Sequence, residues 1–274
     1  MKIVSVGEIT IDRYLNQNLS FVGGIGLNFA VQAKRGGAES ASMVSCVGDG
    51  PLGTWVLETL EKEEVDTTNL AVLAGKTAEI DIEVNDDGER FFPPCGYRAN
   101  VLNQFHLTEA AKHFICQHDL VTTQYDGEAA DSLAMQLIEL PTNTIKRVLD
   151  FGDWSAGRQK ALSPATLNSI DLAFFSGDEE TVKRLEPLAE QSNCLIVVTL
   201  GAAGSLALIP SGSIFQPALD VEQIVDTTGC GDAFQAAFSL SYFLNGAVPM
   251  ALRRGAEQAA QVLQHFGAFS QEPR

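Results

Sequence analysis

The chain is 274 residues long, and its 45% hydrophobic and 19% charged residues are typical of a folded globular protein rather than a disordered one. Its formal net charge is −17, from 18 Lys and Arg against 35 Asp and Glu. Nucleic acid is disfavoured as a partner, because no dense run of Lys and Arg offsets this charge. An anionic small molecule would need a local site of backbone amides, a few cations and a metal ion.

The cysteines predict a reducing compartment. There are five, an odd number, at wide spacings and without a CxxC pair. The chain opens on the strand-like run 2–7 without the layout of a signal peptide, and no apolar run approaches ~18 residues. We therefore expect reduced thiols, a cytoplasmic location and no membrane partner.

Strand-like and helix-like segments alternate along the chain. Short apolar runs lie at 2–7, 41–47, 120–123, 147–151, 172–175 and 195–200, with helical stretches such as 54–63 and 178–190 between them. This order predicts an α/β fold with a doubly wound, mostly parallel sheet and helices on both faces. Ligands of such sheets bind at the carboxyl ends of the strands.

One segment breaks this alternation. From 77 to 84 apolar and acidic residues follow a strict period of two, which predicts a strand with one apolar face. The turn signal at 85–88 and the extended run 90–92 complete a hairpin. We predict a small β lid, formed mainly by about 72–98, that covers the site or pairs with a second subunit; a plain surface hairpin is the alternative. The last residues, 269–274, are expected to be a frayed tail.

The most informative stretch is 225–234, Val-Asp-Thr-Thr-Gly-Cys-Gly-Asp-Ala-Phe, which leads into an apolar helix. Gly229 and Gly231 flank a small residue where the helix begins, so backbone N–H groups and the helix dipole can hold a phosphate. Asp232 is placed to take the proton of a substrate hydroxyl while those N–H groups stabilise the transferring group. Alternatively, Asp232 only caps the helix.

A second group of polar residues and glycines follows the first strand: Asp12, Gly23, Gly24 and Asn28. The Asp12 carboxylate and the Asn28 amide could each hold sugar hydroxyls, which both donate and accept hydrogen bonds. The glycine-rich run 23–26 is equally compatible with a simple tight turn. It lacks the G-x-G-x-x-G spacing of a dinucleotide-binding dehydrogenase, so that function is disfavoured.

Three motifs, in this order, resemble the signatures of the PfkB-type, ribokinase-like carbohydrate kinases. They are the region of Gly23 and Gly24 with Asn28, the turn 47–53, which is similar to VGxDxxG, and 226–232, which is similar to the highly specific DTxGAGD signature. The resemblance covers essentially the whole chain. It implies a single ribokinase-like domain over 1–274, with ATP and Mg²⁺ as cosubstrates and a primary alcohol as acceptor.

The resemblance also implies roles for individual residues. Asp232 matches the catalytic base, and Gly229, Cys230 and Gly231 match the anion hole, in which Cys230 replaces the usual Ala. We expect alkylation of Cys230 to inactivate the protein and ATP to protect it. The residues implied at the nucleotide are Thr199, Gly201, Gly204, Asp226, Thr228 and Glu257.

Two cation roles follow from the same resemblance. Asp226 matches a monovalent-cation loop, which suggests a K⁺ requirement. Glu179 matches the acid of an NxxE motif near the Mg²⁺ water shell, although Ser176 stands where that motif has Asn. Alternatively, the acids at 178–180 only stabilise the start of a helix.

Among the subfamilies, the chain looks most like the fructoselysine or fructosamine 6-kinases, which implies phosphorylation of a fructosamine at its 6-hydroxyl. Asp153 is a candidate partner for the secondary ammonium of such a substrate, and Arg90 or Arg98 could reach a substrate or phosphate from the lid. A fructokinase or ribokinase acting on a plain sugar stays open, as does a non-catalytic sugar or nucleotide sensor.

Overall fold

The computed structural model describes residues 1–141, 144–155, 162–209 and 212–274. The strands are β1 (Lys2–Val6), β2 (Thr10–Tyr14), β3 (Leu19–Gly23), β4 (Ser40–Gly48), β5 (Val65–Leu73), β6 (Glu79–Val84), β7 (Arg90–Phe91), β8 (Tyr97–Arg98), β9 (Leu120–Gln124), β10 (Lys146–Asp153), β11 (Leu172–Ser176), β12 (Leu195–Thr199), β13 (Ser205–Ile209) and β14 (Gly212–Gln216). The helices are α1 (Ile25–Arg35), α2 (Pro51–Lys62), α3 (Glu109–Ile115), α4 (Leu133–Ile138), α5 (Pro164–Asn168), α6 (Glu179–Gln191), α7 (Cys230–Asn245) and α8 (Val248–Val262).

The main sheet has the strand order β14-β13-β12-β11-β10-β9-β1-β4-β5 within these ranges. All neighbours from β12 to β5 are parallel, and β13 and β14 add an antiparallel edge. The chain moves from β1 to β4 on one side and later returns to β9 on the other. The strand order therefore reverses at β1, where sheets of this kind bind their ligands.

Helices cover both faces of the main sheet. Ile3 of β1 packs with α1, α7 and α8, whereas Val4 on the opposite face packs with α3 and α4. Phe174 and Phe175 of β11 divide between the two layers in the same way. Strands that are apolar on both faces need this double cover. The predicted doubly wound α/β fold is confirmed, and no helix within the described ranges is both long and apolar enough to cross a membrane.

A smaller sheet, which we call the lid sheet, has the order β3-β2-β6-β7, with β8 also paired to β6. It contains the predicted hairpin, since β6 and β7 are antiparallel across the turn at 85–88. The lid sheet does not coincide with the predicted 72–98. Val72 and Leu73 belong to β5 of the main sheet, and β2 and β3, which come from the first residues of the chain, belong to the lid sheet.

The two faces of the lid sheet differ in polarity. The inner, apolar face is covered by Phe266 and consists of Tyr14, Phe21, Ile82 and Val84. On the other face Arg98 donates to the Asp81 carboxylate at 2.9 and 2.8 Å, so its guanidinium is already paired and does not reach for a substrate. Because residues of the same chain already cover the apolar face, that face no longer argues for a lid-to-lid dimer.

The C-terminal residues are ordered against the fold, contrary to the expected frayed tail. Phe269 is fully buried. The side-chain amide of Gln271 bonds both the N–H and the carbonyl of Val22, at 3.1 and 2.8 Å. The backbone of Arg274 pairs in both directions with Ser20, at 2.8 and 3.0 Å, and so extends the edge of the lid sheet.

Candidate active site

Asp232 is the buried acid in the first turn of α7. It is 9% exposed, and its Oδ2 accepts a hydrogen bond of 2.8 Å from the side-chain amide of Asn28 in α1. The pKa of Asp232 is raised to about 7, chiefly by burial; the charges of Asp150 and Glu8 act in the same direction, whereas Asn28 and Arg90 act to lower it. A carboxyl group with such a pKa is suited to general-base catalysis near neutral pH.

The start of α7 has no side-chain cap. Gly229 precedes the helix in the left-handed region, with φ of 77°, and a side chain there would overlap Ala268. In the described part of the chain no acceptor bonds the backbone N–H groups of Gly231 and Asp232. A Cβ on Gly231 would meet nothing within 4 Å. The open space beside these N–H groups fits a phosphate held by the helix terminus.

Asp226 is fully buried and organises the turn that leads to α7. Its Oδ1 accepts from the Thr228 N–H at 2.9 Å, and its Oδ2 accepts from the Gly267 N–H at 2.9 Å and the Tyr14 hydroxyl at 2.5 Å. Burial, with the neighbouring carboxylates, raises the pKa of Tyr14 well above its ordinary value, so the hydroxyl keeps its proton. Asp226 thus ties the lid sheet to this turn, and the K⁺ role of this residue stays a prediction.

Arg90 of β7 reaches the same turn from the lid sheet. Its Nη1 donates to the Thr227 carbonyl at 2.5 Å, and its backbone N–H donates to the Thr227 hydroxyl at 3.3 Å. In return the Thr227 N–H donates to the Gly88 carbonyl at 3.0 Å. The hairpin is therefore closed onto the turn, and the positive charge of Arg90 lies close enough to lower the pKa of both Asp12 and Asp232.

Asp12 lies on β2 of the lid sheet, and not directly after β1 as predicted. It is 4% exposed and accepts a hydrogen bond of 2.6 Å from the Thr10 hydroxyl. Burial raises its pKa to about 7. A side chain on Gly23 would overlap the Asp12 carboxylate, and Gly24, with φ of 103°, packs closely on the backbone at 8–10. The two glycines shape the space around the acid.

The residues predicted to bind the nucleotide divide into two groups. Thr199 ends β12, and its hydroxyl lies 2.8 Å from that of Ser176, which ends the neighbouring β11, so both face the carboxyl edge of the main sheet. Gly201, with φ of 57°, borders open space, whereas a side chain on Gly204 would overlap the backbone of Gln216. A contact of these residues with the nucleotide stays a prediction.

Thr228 and Glu257 have local roles. The Thr228 N–H supports Asp226, as described above. The Glu257 carboxylate accepts from Arg253 at 2.8 Å and from Arg254 at 3.0 Å, and these bonds lower its pKa. Glu257 thus belongs to an ion-pair network on its own helix α8, and its contact with the nucleotide stays a prediction.

An open helix terminus beside a buried carboxylate suits phosphoryl transfer to a hydroxyl, because it offers both a site for the phosphate and a base for the hydroxyl. The family model described as pfkB family carbohydrate kinase matches residues 1–274. The chain belongs to this family. It is a carbohydrate kinase, a phosphotransferase that acts on a sugar hydroxyl.

Relatives of this kinase match it over nearly its full length. Fructoselysine 6-kinase of Escherichia coli strain K12 is 28% identical over 271 residues, which cover 97% of this chain and 99% of the relative. Fructosamine kinase FrlD of Bacillus subtilis strain 168 is 27% identical over 275 residues, with coverage of 98% and 93%. The structure of Arabidopsis thaliana ribokinase complexed with ribose and ATP has a TM-score of 0.79 at 19% identity, with coverage of 97% and 93%.

A carbohydrate kinase of this family is expected to use Mg²⁺ with its ATP. In the described ranges no three acidic, His or Cys side chains form a metal cluster. Mg²⁺ bound with a nucleotide needs only one or two carboxylates, because the phosphates supply other ligands. The separate acidic side chains of the described ranges therefore fit an Mg²⁺ ion that binds together with ATP. Asp178 caps α6 by accepting from the Thr181 N–H at 2.8 Å, whereas Glu179 is exposed and open to a hydrated ion.

Sequence reasoning missed three residues of this site: Glu8, Tyr14 and Asp150. Asp150 is buried and Glu8 is half-buried; both raise the pKa of Asp232, and Tyr14 binds Asp226. Only Glu8 carried a signal, because it directly follows Gly7 at the carboxyl end of the first predicted strand. Tyr14 and Asp150 lie inside strands, and nothing in their local sequence indicates which side chain they meet.

Proposed function

We propose that this kinase transfers the γ-phosphoryl group of ATP to the 6-hydroxyl of a fructosamine such as fructoselysine. The substrate class is supported by two fructosamine kinase relatives that match almost the whole chain. The chemistry is supported by one observation above all: the buried Asp232, oriented by Asn28, stands in the same helical turn as the open N–H group of Gly231.

In the proposed reaction the substrate hydroxyl lies between Asp232 and the γ-phosphate. Asp232 takes the hydroxyl proton as the oxygen attacks phosphorus, and the N–H groups at the start of α7 stabilise charge on the transferring group. Mg²⁺ bound with ATP neutralises charge on the phosphates. The roles of the remaining residues are to bind and orient the sugar.

Asn28 and Asp12 are the proposed partners of the sugar hydroxyls. The Asn28 Nδ2 is committed to Asp232, but its Oδ1 has no partner among the described residues and could accept from a hydroxyl. Asp12 comes from the lid sheet, so substrate would be enclosed between the lid sheet and α1. A K⁺ requirement, a lid-to-lid homodimer and a cytoplasmic location remain predictions.

The test is release of ADP from Mg·ATP across a panel of fructoselysine, other fructosamines, fructose, ribose and nucleosides. We expect turnover with a fructosamine, and we expect Asp232→Asn to lower kcat by about 10² or more while ATP binding is kept. Turnover restricted to fructose or ribose would replace the proposed substrate. If no compound of the panel leads to release of ADP but sugar or ATP still binds, a sensor function would be favoured.

A further inference from the structure

Glu8 is a half-buried carboxylate that the proposed chemistry leaves without a role. It follows the carboxyl end of β1, at the position where the main sheet reverses its strand order. Its Oε2 accepts from the N–H of Ile25, the first residue of α1, at 3.4 Å, and the Tyr97 hydroxyl lies near this carboxylate. Within the described ranges no Lys, Arg or His is paired with it.

Glu8 shares its surroundings with Asp12 and Asp232, because its charge raises the pKa of both. Tyr97 stands opposite Ile80, which in turn stands opposite Asp12, so Tyr97 and Asp12 lie on the same face of the lid sheet. The lid sheet thus places Tyr97 near Glu8, and its residue Asp12 is the acid that lies next to Glu8. Buried charges in proteins are normally paired, and this group of acids has an excess of negative charge.

Asn28 shows independently that a ligand completes this space. The residue is 3% exposed, its Nδ2 is bound to Asp232, and its Oδ1 has no partner among the described residues. A buried acceptor of this kind requires a donor. A neutral sugar would supply hydroxyl donors to Asn28 and Asp12, but it would leave the charge of Glu8 without a cation.

We propose that Glu8 binds the protonated secondary amine of the substrate and thereby selects fructosamines over plain sugars. The inference depends on the fructosamine function proposed above and adds the residue that recognises the amine. Asp153, the candidate from the sequence, is exposed and its Oδ1 accepts from the Ser155 N–H of its own loop at 2.9 Å. An ion pair gains strength as water is excluded, so the half-buried Glu8 is a better partner for a cation than the exposed Asp153.

The test compares kcat/KM for two matched substrates, N-butylfructosamine and the ether in which oxygen replaces its nitrogen. The butyl group replaces the lysine part of fructoselysine and so removes its charged α-amino and carboxyl groups from the comparison. Glu8→Gln keeps an oxygen acceptor for Ile25 and Tyr97 but removes the charge. We expect it to lower kcat/KM for the amine by about 30-fold or more, as for a buried charge pair that loses one partner, and to change the ether by less than about threefold.

Glu83→Gln is the matched control, because Glu83 lies on β6 between the buried Ile82 and Val84 and its side chain is therefore on the opposite face of the lid sheet. It should leave the amine-to-ether ratio unchanged. Equal losses of Glu8→Gln on both substrates would overturn the assignment of Glu8. The wild type offers a second measurement that needs no variant to fold: it should prefer the amine by about tenfold or more, and equal rates would also overturn the assignment.

The two proposals fail in different ways. If the wild type phosphorylates neither butyl compound but turns over fructose or ribose, the fructosamine function is wrong, and the role of Glu8 falls with it. If the wild type phosphorylates the amine and Glu8→Gln leaves the amine-to-ether ratio unchanged, only the role of Glu8 is wrong.

Discussion

The surroundings of Asp232 give a side chain that is normally a weak base a pKa of about 7, chiefly through burial. If its carboxylate is the base, kcat/KM should fall about tenfold for each pH unit below 7, since only the deprotonated form can accept the proton. Asn28 donates to the charged form and so lowers the pKa. We therefore expect Asn28→Ala to move the midpoint of this limb to higher pH.

The measurement is kcat/KM between pH 5 and 9 for the wild type and Asn28→Ala, at saturating ATP. Because Asn28 is also a proposed sugar ligand, the variant will lose affinity; the position of the midpoint, and not the height of the curve, carries the test. A midpoint that stays in place, or moves to lower pH, would mean that Asp232 is not the titrating base.

We expect Cys230 to be less reactive than its place in the anion hole suggested. Burial raises the pKa of its thiol to about 12, so very little thiolate exists near pH 7, and only the thiolate is alkylated. Cys95, in contrast, is exposed. We expect iodoacetamide at pH 7 to modify Cys95 well before Cys230, with activity retained at one modification per chain, as followed by mass spectrometry of peptides. Early loss of activity together with labelling of Cys230 would restore the original expectation.

At the scale of elements, the hydrogen bond between Tyr14 of β2 and Asp226 is one of the contacts that join the lid sheet to the catalytic turn. Tyr14→Phe removes the shortest of the three hydrogen bonds that Asp226 accepts and leaves part of a buried carboxylate unsatisfied. We expect a loss of about 1–3 kcal/mol in the free energy of unfolding. Urea unfolding measures it, and Tyr242→Phe, which removes a hydroxyl from the half-buried ring on α7, serves as the control. Equal stability of the two variants would contradict the anchoring role.

Sequence patterns predicted well the elements whose buried residues can be recognised from their immediate neighbours in the sequence. The strands β9 to β12 are apolar on both faces, and the start of α7 carries its glycines and its acid in one short motif. β2 was missed because its buried positions include Thr10 and Asp12, which bond each other and read as loop residues. The C-terminal residues were misjudged for a similar reason, since their partners Val22 and Ser20 are about 250 positions away.

The site shows the same division. The Asp226–Asp232 motif predicted the turn, the open N–H groups and the base, because all of these lie within one segment. The pairing of Asn28 with Asp232 spans 204 positions, and no local pattern specifies it. The same holds for the contact of Arg90 with Thr227, 137 positions apart, through which the lid sheet closes on the turn.

For the whole molecule, the buried acids make stability depend on pH in a direction opposite to that of paired surface carboxylates. Asp12 and Asp232 each have a pKa raised from 3.8 to about 7. A raised carboxyl pKa contributes stability that is fully present below 3.8 and is lost as the pH rises through about 7, because the folded state must then bury a charge. The active site therefore lowers the stability of the folded state at the pH at which Asp232 can act as a base.

Replacing Asp232 by Asn removes that buried charge and keeps an oxygen that can accept from Asn28. Asp232→Asn should accordingly raise the melting temperature at pH 8 and raise it much less at pH 5. At pH 8 a pKa difference of about three between the folded and unfolded states corresponds to at most about 4 kcal/mol in the free energy of unfolding. Asp220→Asn, at an exposed acid, should change little at either pH. Calorimetry of the three proteins at both pH values decides the matter: if Asp232→Asn is no more stable than the wild type at pH 8, the carboxylate is not a buried, destabilising charge in the folded kinase.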